Sequence, residues 1–466
     1  MAKKTEKVEL VVLNKPGVLG RVAGHIRREG WNIKRLAVDE AGNGCSAMEI
    51  DIEGTHTKLA QVMERILNLD CVLSIAMIRG GEKIVRRRPP EQAESAAAET
   101  KAAKAPPKKN GVFRILAVNP GSTSTKYGLY DGEACILSGT VRHASALLSQ
   151  CGTVPNQKEL RRDSVMRGLE EAGLDLASLD AVAGRGGLLK PIESGVYAIN
   201  ERMLEDLKSA AAAIHASALG AIIASEIAFP LHIPAYVVDP VVVDEMDRNA
   251  KLTGMPGVER SSVFHALNQK AIARRLAAEL GKPYENARFI VAHLGGGITV
   301  GAHRYGRVID VNDALAGEGP FTPERTGAIP LIPVINMCFS GEYTREEMVE
   351  KVTRQGGMKA YLGTSDLTDV QKMINDGDEF AALALDSMAY QVSKEIGAMA
   401  AVLEGLVDAI ILTGGLAYST RFTGAVKQRV DKLAPVHVFP GEDEMLALAS
   451  GVLRVLKGTE KAALYG

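Results

Sequence analysis

Hydrophobic and polar positions alternate over residues 8–14, then recur at helical spacing through Val18, Val22 and Ile26 as far as Gly30. Two more alternating runs, Ile33–Val38 and Cys45–Ile52, are joined through Glu40-Ala-Gly-Asn-Gly44, a hairpin signal. Thr55 stands as an N-cap before a helical pattern of Leu59, Val62, Ile66 and Leu67, and Val72–Ile78 alternates again. The predicted order is β-α-β-β-α-β, the split βαβ arrangement of a small α+β domain over residues 1–80. In the turn Asn14-Lys-Pro-Gly17, the backbone N–H groups of Gly17 and Val18 open the first helix, where a carboxylate is favoured. The same module without a ligand serves to pair subunits.

The pattern then stops. Residues 81–111 contain hardly any large apolar side chain and are dominated by Ala, Glu, Lys, Arg and Pro, so they predict a flexible linker. Its basic ends allow a nucleic-acid or membrane arm, but interleaved glutamates and the lack of aromatics favour a solvated tether.

Beyond the linker the apolar runs return, and each ends in chemistry. Phe113–Val118 reads as a buried strand that breaks at Asn119-Pro-Gly-Ser-Thr-Ser-Thr-Lys126 and resumes through Tyr127, Leu129 and Tyr130. Pro120 and Gly121 bound a turn, and Ser122, Thr123, Ser124 and Lys126 supply hydroxyls and one ammonium. Such a hairpin is either a polar tip or a cradle for phosphate. A helix is predicted over 157–172, and the strand Leu179–Gly184 runs into Arg185-Gly-Gly187. An arginine beside two glycines with room around it is placed to meet an anion rather than a local acid.

Asn200 starts a helix with Met203, Leu204 and Leu207, and His215 opens the next, 214–228, as a satisfied cap rather than a catalyst. The strand 234–239 carries Asp239 at its tip, where ligands of open α/β sheets lie, and 260–265 opens another helix. Phe289–Gly301 is a second strand–turn–strand around His293-Leu-Gly-Gly-Gly297, with Gly295, Gly296 and Gly297 at the turn. A third glycine loop follows the strand Ile410–Thr413, with Gly414 and Gly415 free to let an adenosine or phosphate approach.

Composition narrows the classes. Over 466 residues the formal net charge is −1, so there is no nucleic-acid field, and the length implies two or three domains. No apolar run reaches the roughly 20 residues that span a bilayer, and the N-terminus lacks a secretory h-region. The five cysteines, Cys45, Cys71, Cys135, Cys151 and Cys338, form no CxxC pair and suit a reducing, cytoplasmic setting.

With these residues placed, two resemblances emerge. Residues 13–21 and Gly30-Trp-Asn-Ile33 resemble an ACT domain, ferredoxin-like and closest to the kind in acetolactate synthase regulatory subunits. That family implies an amino-acid effector, branched-chain by preference, near Asn14, Gly17 and Val18.

Residues 113–457 resemble the butyrate kinases, within the acetate and propionate kinase group of the actin-like ATPase superfamily. The motifs are 119–126, Gly184-Arg-Gly-Gly-Leu-Leu-Lys-Pro191, His215-Ala-Ser217, His293–Gly297, Gly317-Glu-Gly-Pro-Phe-Thr-Pro-Glu-Arg-Thr-Gly327 and Leu412–Gly415. The implied fold is α/β: duplicated ribonuclease-H-like lobes, roughly 112–255 plus the C-terminal helix and 256–440, within a kinase domain 112–466. The implied ligands are ATP, Mg²⁺ and a short-chain carboxylic acid, in a homodimer or larger homo-oligomer.

By the same resemblance Asn119, Ser122, Ser124 and Lys126 adjoin the transferred phosphoryl group. Arg185, His293, Arg325 and Asp239 are catalytic. Asp239 and Glu444 are the metal-side carboxylates, and His215 lies with Arg185 on the substrate side. The likeness breaks after Phe264-His265, where Ala-Leu-Asn-Gln replaces the Gly-Thr-Ser-His of acetate kinases. Rival readings are acetate or propionate kinase activity on this scaffold, an actin-like ATP switch, or a sugar kinase using Asp239 as base.

Overall fold

The computed structural model describes residues 4–13, 22–23, 26, 32–42, 45–54, 66, 72–79, 82–87, 106–209, 216–315 and 317–466. The chain divides into two compact units, Met1–Ala97 and Ala98–Gly466.

In the first unit, β1 (Lys4–Leu13), β2 (Asn32–Gly42), β3 (Cys45–Gly54), β4 (Val72–Arg79) and β5 (Glu82–Arg87) form one sheet in the order β2-β3-β1-β4-β5. Every neighbouring pair is antiparallel. Alternation predicts β1 to β4, and it works because alternate residues bury Val8, Leu10 and Val12 against Met48, Ile50 and Ile52. Val22, Ala23, Ile26 and Ile66 are helical, and Val22, Ile26 and Ile66 join that core. The expectation of a flexible segment starting at 81 is corrected at its beginning. Glu82–Arg87 is a strand whose backbone ladder pairs with β4, an edge that composition alone does not reveal. Asn14, Gly17, Val18 and residues 88–105 of the expected linker lie outside the described residues.

The second unit contains two sheets of matching design. β6 (Arg114–Pro120), β7 (Ser124–Asp131), β8 (Ala134–Arg142), β9 (Ala181–Gly184), β10 (Val196–Ala198) and β11 (Ala235–Val238) build the first, with Ala463–Leu464 at its edge. β12 (Arg288–Leu294), β13 (Ile298–Arg304), β14 (Arg307–Val311), β15 (Ala409–Gly414) and β16 (Val436–Pro440) build the second. The series β8-β7-β6-β9-β11 and β14-β13-β12-β15-β16 share both order and direction: two antiparallel pairings followed by two parallel ones. This is the duplication expected of ribonuclease-H-like lobes.

Helices cover both faces, as parallel strands require. α1 (Lys158–Glu171) and α2 (Leu219–Ala228) cover one face of the first sheet. α3 (Ala266–Glu279) backs the second sheet, opposite α4 (Glu379–Val402) and α5 (Thr420–Val430). The C-terminal helix α6 (Glu444–Leu456) returns to the first sheet and packs on β6, β9 and β11 through Leu448, Val452 and Leu453. The chain therefore leaves the second sheet at β16 and enters the first within a few residues.

Candidate active site

The site is built at the carboxyl ends of the parallel strands, the place where an open α/β sheet leaves loops free to carry chemistry. Asn119 ends β6, Arg185 follows β9, Asp239 follows β11, His293 lies near the end of β12, Gly414 ends β15, and Glu442 and Glu444 follow β16. The short link after β16 brings the two sheets together. Glu442 Oε1 lies 3.0 Å from His293 Nε2 of the second sheet. Two residues on, Glu444 accepts from Asn119 Nδ2 at 2.6 Å and is ion-paired with Arg185, both of the first sheet. The two distant hairpins thus open onto one cleft.

Burial works against the charge of Glu442. The hydrogen bond from His293 and the charges of His293, Arg185 and Lys126 outweigh it and hold the carboxyl down at about 2. Lys126, from the first hairpin, therefore acts on a residue that also touches the second. Around that hairpin Ser122, Thr123 and Lys126 are exposed, and Gly121 N–H donates to Ser124 O at 2.7 Å to close the turn.

Arg185 departs from the expectation of an arginine with free space. Its guanidinium is paired with Glu444, and the glycines beside it are enclosed. A Cβ on Gly186 would meet Pro240 at 2.6 Å, and one on Gly187 would meet Ala218 Cα at 2.6 Å. Tight packing, not open space, is what those glycines provide. A cavity of about 10 Å³ remains, lined by Arg185, Asp239, Val241, His265, Asn268 and Glu444, room for about one water.

Asp239 faces this cavity with φ of 38°, a left-handed backbone unusual for a non-glycine residue. Its Oδ1 accepts from Ser194 Oγ (2.6 Å) and Gly195 N–H (2.9 Å), and Oδ2 from Arg274 Nη1 (3.1 Å). Burial opposes its charge, but Arg274, Lys270 and Ser194 hold the carboxyl below the usual range. Arg325 packs against the second hairpin: a Cβ on Gly297 would lie 2.3 Å from its Nη1. Its Nη1 donates to Ala314 O, while its buried Nε has no hydrogen-bond partner among the described residues. Gly296, by contrast, faces open space, as does Gly415 in the third loop. His215 lies outside the described residues.

Glu442 and the role of His265 both escaped the sequence reading. His265, at the N-terminus of α3, stacks on His293 with ring centroids 3.8 Å apart and planes 10° from parallel. A buried hydrogen-bond chain reaches its ring. Gln269 Nε2 lies 3.1 Å from Thr299 O, which only accepts, so the amide nitrogen faces Thr299 and Oε1 faces His303 Nε2 at 3.0 Å. His303 is then protonated on Nε2 and accepts at Nδ1 from the Tyr284 hydroxyl at 2.7 Å.

Gln269 Nε2 also donates to Thr299 Oγ1 at 2.8 Å, and donation of the threonine proton to His265 Nδ1, 3.0 Å away, would give that hydroxyl an acceptor. That arrangement would put the His265 proton on Nε2. Burial, then the charges of His293, Arg185 and Arg325, push its pKa well down and keep the ring neutral. The broken likeness at Gln269 is thus filled by a residue that orients His265. The available signal was a polar stripe, His265, Asn268 and Gln269, at i, i+3 and i+4 of an otherwise apolar helix. Asn268 Oδ1 holds His293 Nδ1 at 2.9 Å.

Glu442 and Glu444 offer hard oxygen donors beside the exposed hydroxyls of the first hairpin, which fits a Mg²⁺ ion that takes few protein ligands and keeps water and phosphate oxygens. Among the described residues no three or more His, Cys, Asp or Glu gather as an all-protein metal site. Among the described residues no helix is long and apolar enough to cross a membrane.

Comparison with known proteins bears on the fold that carries this site. The family model described as "Acetokinase family" matches residues 204–435, and "AHAS small subunit-like ACT domain" matches residues 8–74. Among solved structures, acetate kinase from Porphyromonas gingivalis aligns at 20% identity and TM-score 0.62, covering 74% of this chain and 100% of that one. Propionate kinase from Francisella tularensis aligns at 20% identity and TM-score 0.60, covering 73% and 98%. Acetate kinase from Entamoeba histolytica aligns at 19% identity and TM-score 0.60, covering 72% and 98%. These structures share the fold. The acetokinase family match, to phosphotransferases with a carboxyl acceptor, lies inside the second unit, and the ACT domain match lies inside the first.

Proposed function

We propose that the second unit transfers the γ-phosphoryl group of ATP reversibly to a short-chain carboxylic acid, butanoate or a branched acid, giving ADP and an acyl phosphate. The observation that carries this reading is the link Gly441–Glu444, which ties His293 to Asn119 and Arg185 and so sets two anion-seeking hairpins around one cleft. A carboxylic acid with pKa of about 4–5 is ionised at neutral pH, so the nucleophile needs no general base. The task left to the protein is to bring two anions together and spread the charge of the transferring group.

Arg325 and His265 are the residues for that charge: one a guanidinium fixed against the Gly297 turn, the other a neutral Nε2–H donor. Ser122, Thr123, Ser124 and Lys126, with the Gly295–Gly297 and Gly414–Gly415 turns, receive the phosphates and the adenosine. Glu444 and Glu442 would hold Mg²⁺, which would supply positive charge to neutralise the phosphates. Asp239, with both oxygens hydrogen-bonded, takes part only through water.

The present cavity admits about one water, so an acid enters as Arg185 and Glu444 part, and Arg185 then binds its carboxylate. Of the apolar wall proposed from Leu188, Leu189 and 241–243, Val241 lines this cavity and Leu189, Val242 and Val243 are buried. Each methylene buried there is worth about 0.8 kcal/mol, so preference among acids of neighbouring length is modest. Asp239 argues against a hydroxyl acceptor, because a carboxyl held below its usual range is a poor base.

Trapping with hydroxylamine tests the reading, since only an acyl phosphate gives a hydroxamate. Formation from acids of two to five carbons, strongest at four or with a branched chain, is expected. ATP hydrolysis with no hydroxamate from any acid would overturn it. The ACT unit binds an amino acid that modulates the kinase, and its pairing makes the protein a cytoplasmic homo-oligomer. Addition of branched-chain amino acids should shift the rate or the melting temperature.

A further inference from the structure

The first hairpin rests on a buried, unneutralised charge. Arg161 of α1 has 0% of its surface exposed. Its Nη1 donates to Ser124 O at 3.0 Å and Thr125 Oγ1 at 3.1 Å. Its Nη2 donates to Ser122 O at 3.1 Å and Gln157 Oε1 at 2.9 Å, and Nε reaches Gln157 Oε1 at 3.2 Å. Every one of these partners is neutral. His143, 2.8 Å from Thr125 Oγ1, adds no charge either, because burial and Arg161 push its pKa down to about 4. The other arginine buried to this extent, Arg114, is ion-paired with Asp131 at 2.7 Å. That is the usual arrangement, because a charge taken out of water without a counter-charge is costly.

Among the described residues Arg161 has its hydrogen bonds but no carboxylate counter-ion, and burial outweighs the small charge effect of the Cys151 sulfur in its favour. The carbonyls it grips, those of Ser122 and Ser124, belong to the hairpin whose outer side presents Ser122, Thr123 and Lys126 to solvent. A neutral donor such as glutamine would satisfy a carbonyl without the desolvation cost of a guanidinium. We propose that Arg161 is a positioning residue for a polyphosphate chain: it fixes the hairpin from behind, and the phosphates lying on the outer side are its counter-charge. This rests on the nucleotide reading above and adds to it a recognition charge that never touches the ligand. It makes binding depend on phosphate count more steeply than the exposed Lys126 alone would.

Calorimetric titration of the full chain with ADP, AMP and adenosine, for the wild type, Arg161→Lys and Arg161→Gln, tests this. The wild type should bind ADP. Arg161→Gln should bind ADP about ten- to a hundredfold more weakly, the effect of losing one unit charge across a loop at an effective dielectric constant of about 20. AMP should suffer less and adenosine not at all. Arg161→Lys, which keeps the charge and loses the fork, should stay within about threefold of the wild type for ADP, and this holds the test open should Arg161→Gln fail to fold. Unchanged ADP affinity in Arg161→Gln would overturn the proposal. So would equal losses for ADP and adenosine in both variants, which would make Arg161 a packing group only. A wild type that binds no adenine nucleotide would instead remove the nucleotide reading itself, and this proposal with it.

Discussion

Gly297→Ala isolates the place of Arg325 in the chemistry. The glycine is not in the left-handed region, so alanine adopts its backbone without strain. The new Cβ would lie 2.3 Å from Arg325 Nη1, 3.1 Å from its Cζ and 3.4 Å from His265 Cε1. Ordinary contact begins at about 3.5 Å, so the guanidinium must retreat by about 1 Å, and the bond from Nη1 to Ala314 O is lost or bent. The end of a long side chain moves cheaply, and the cost to stability is that of one buried hydrogen bond, about 1–2 kcal/mol. A 1 Å misplacement of a charge at the reacting centre costs turnover about a hundredfold.

Single-turnover hydroxamate trapping at saturating ATP and acid, alongside a thermal melt, separates the two effects. Expected is a drop of about a hundredfold in rate, with ADP binding retained and the melting temperature lowered by a few degrees. Wild-type turnover in Gly297→Ala would show that Arg325 does not act from this position, and the mechanism would lose its main cation.

Three further outcomes follow from the same geometry. Glu444→Gln keeps the shape but leaves Arg185 without its counter-charge; part of that cost is screened because Arg185 is 19% exposed. Denaturant melts should show about 2–3 kcal/mol of destabilisation and titration of Mg²⁺ a higher requirement. Gly414→Ala should be far worse for folding than Gly297→Ala. Gly414 has φ of 93°, and its Cβ would meet the Leu294 carbonyl oxygen at 2.4 Å, backbone that cannot yield; a loss of about 3 kcal/mol or more is expected in urea melts. For His143 the folded pKa of about 4 lies below its ordinary 6.5, so the unfolded chain takes up a proton first on acidification. Its contribution to stability is complete above pH 6.5 and is lost as pH falls from 6.5 towards 4, by about 3 kcal/mol at most. Thermal melts across that window should show the slope, and His143→Gln should flatten it.

The local units, and much of the chemistry at their tips, were legible in the order of residues alone. Period-two alternation marked β1 to β4, and apolar runs ending in Gly, Pro, Ser or Asp marked β6, β9, β11, β12 and β15. Those signals are legible because each comes from a few neighbouring residues: which face is buried, and which φ a turn demands. Asn200 illustrates it, with Oδ1 accepting from Met203 N–H at 2.9 Å as an N-cap should.

Which charges meet depends on how the elements pack against one another. Glu444 finds Asn119 and Arg185 across 325 and 259 residues, and Glu442 finds His293, because the chain crosses from β16 to α6 between two sheets. Hydrophobic periodicity places a residue on a face but carries no information about its partner on another element, since burial is non-directional. For the same reason the strand at Glu82–Arg87, the hydrogen-bond chain that reaches His265 and the lone buried charge of Arg161 were invisible until the elements were packed together.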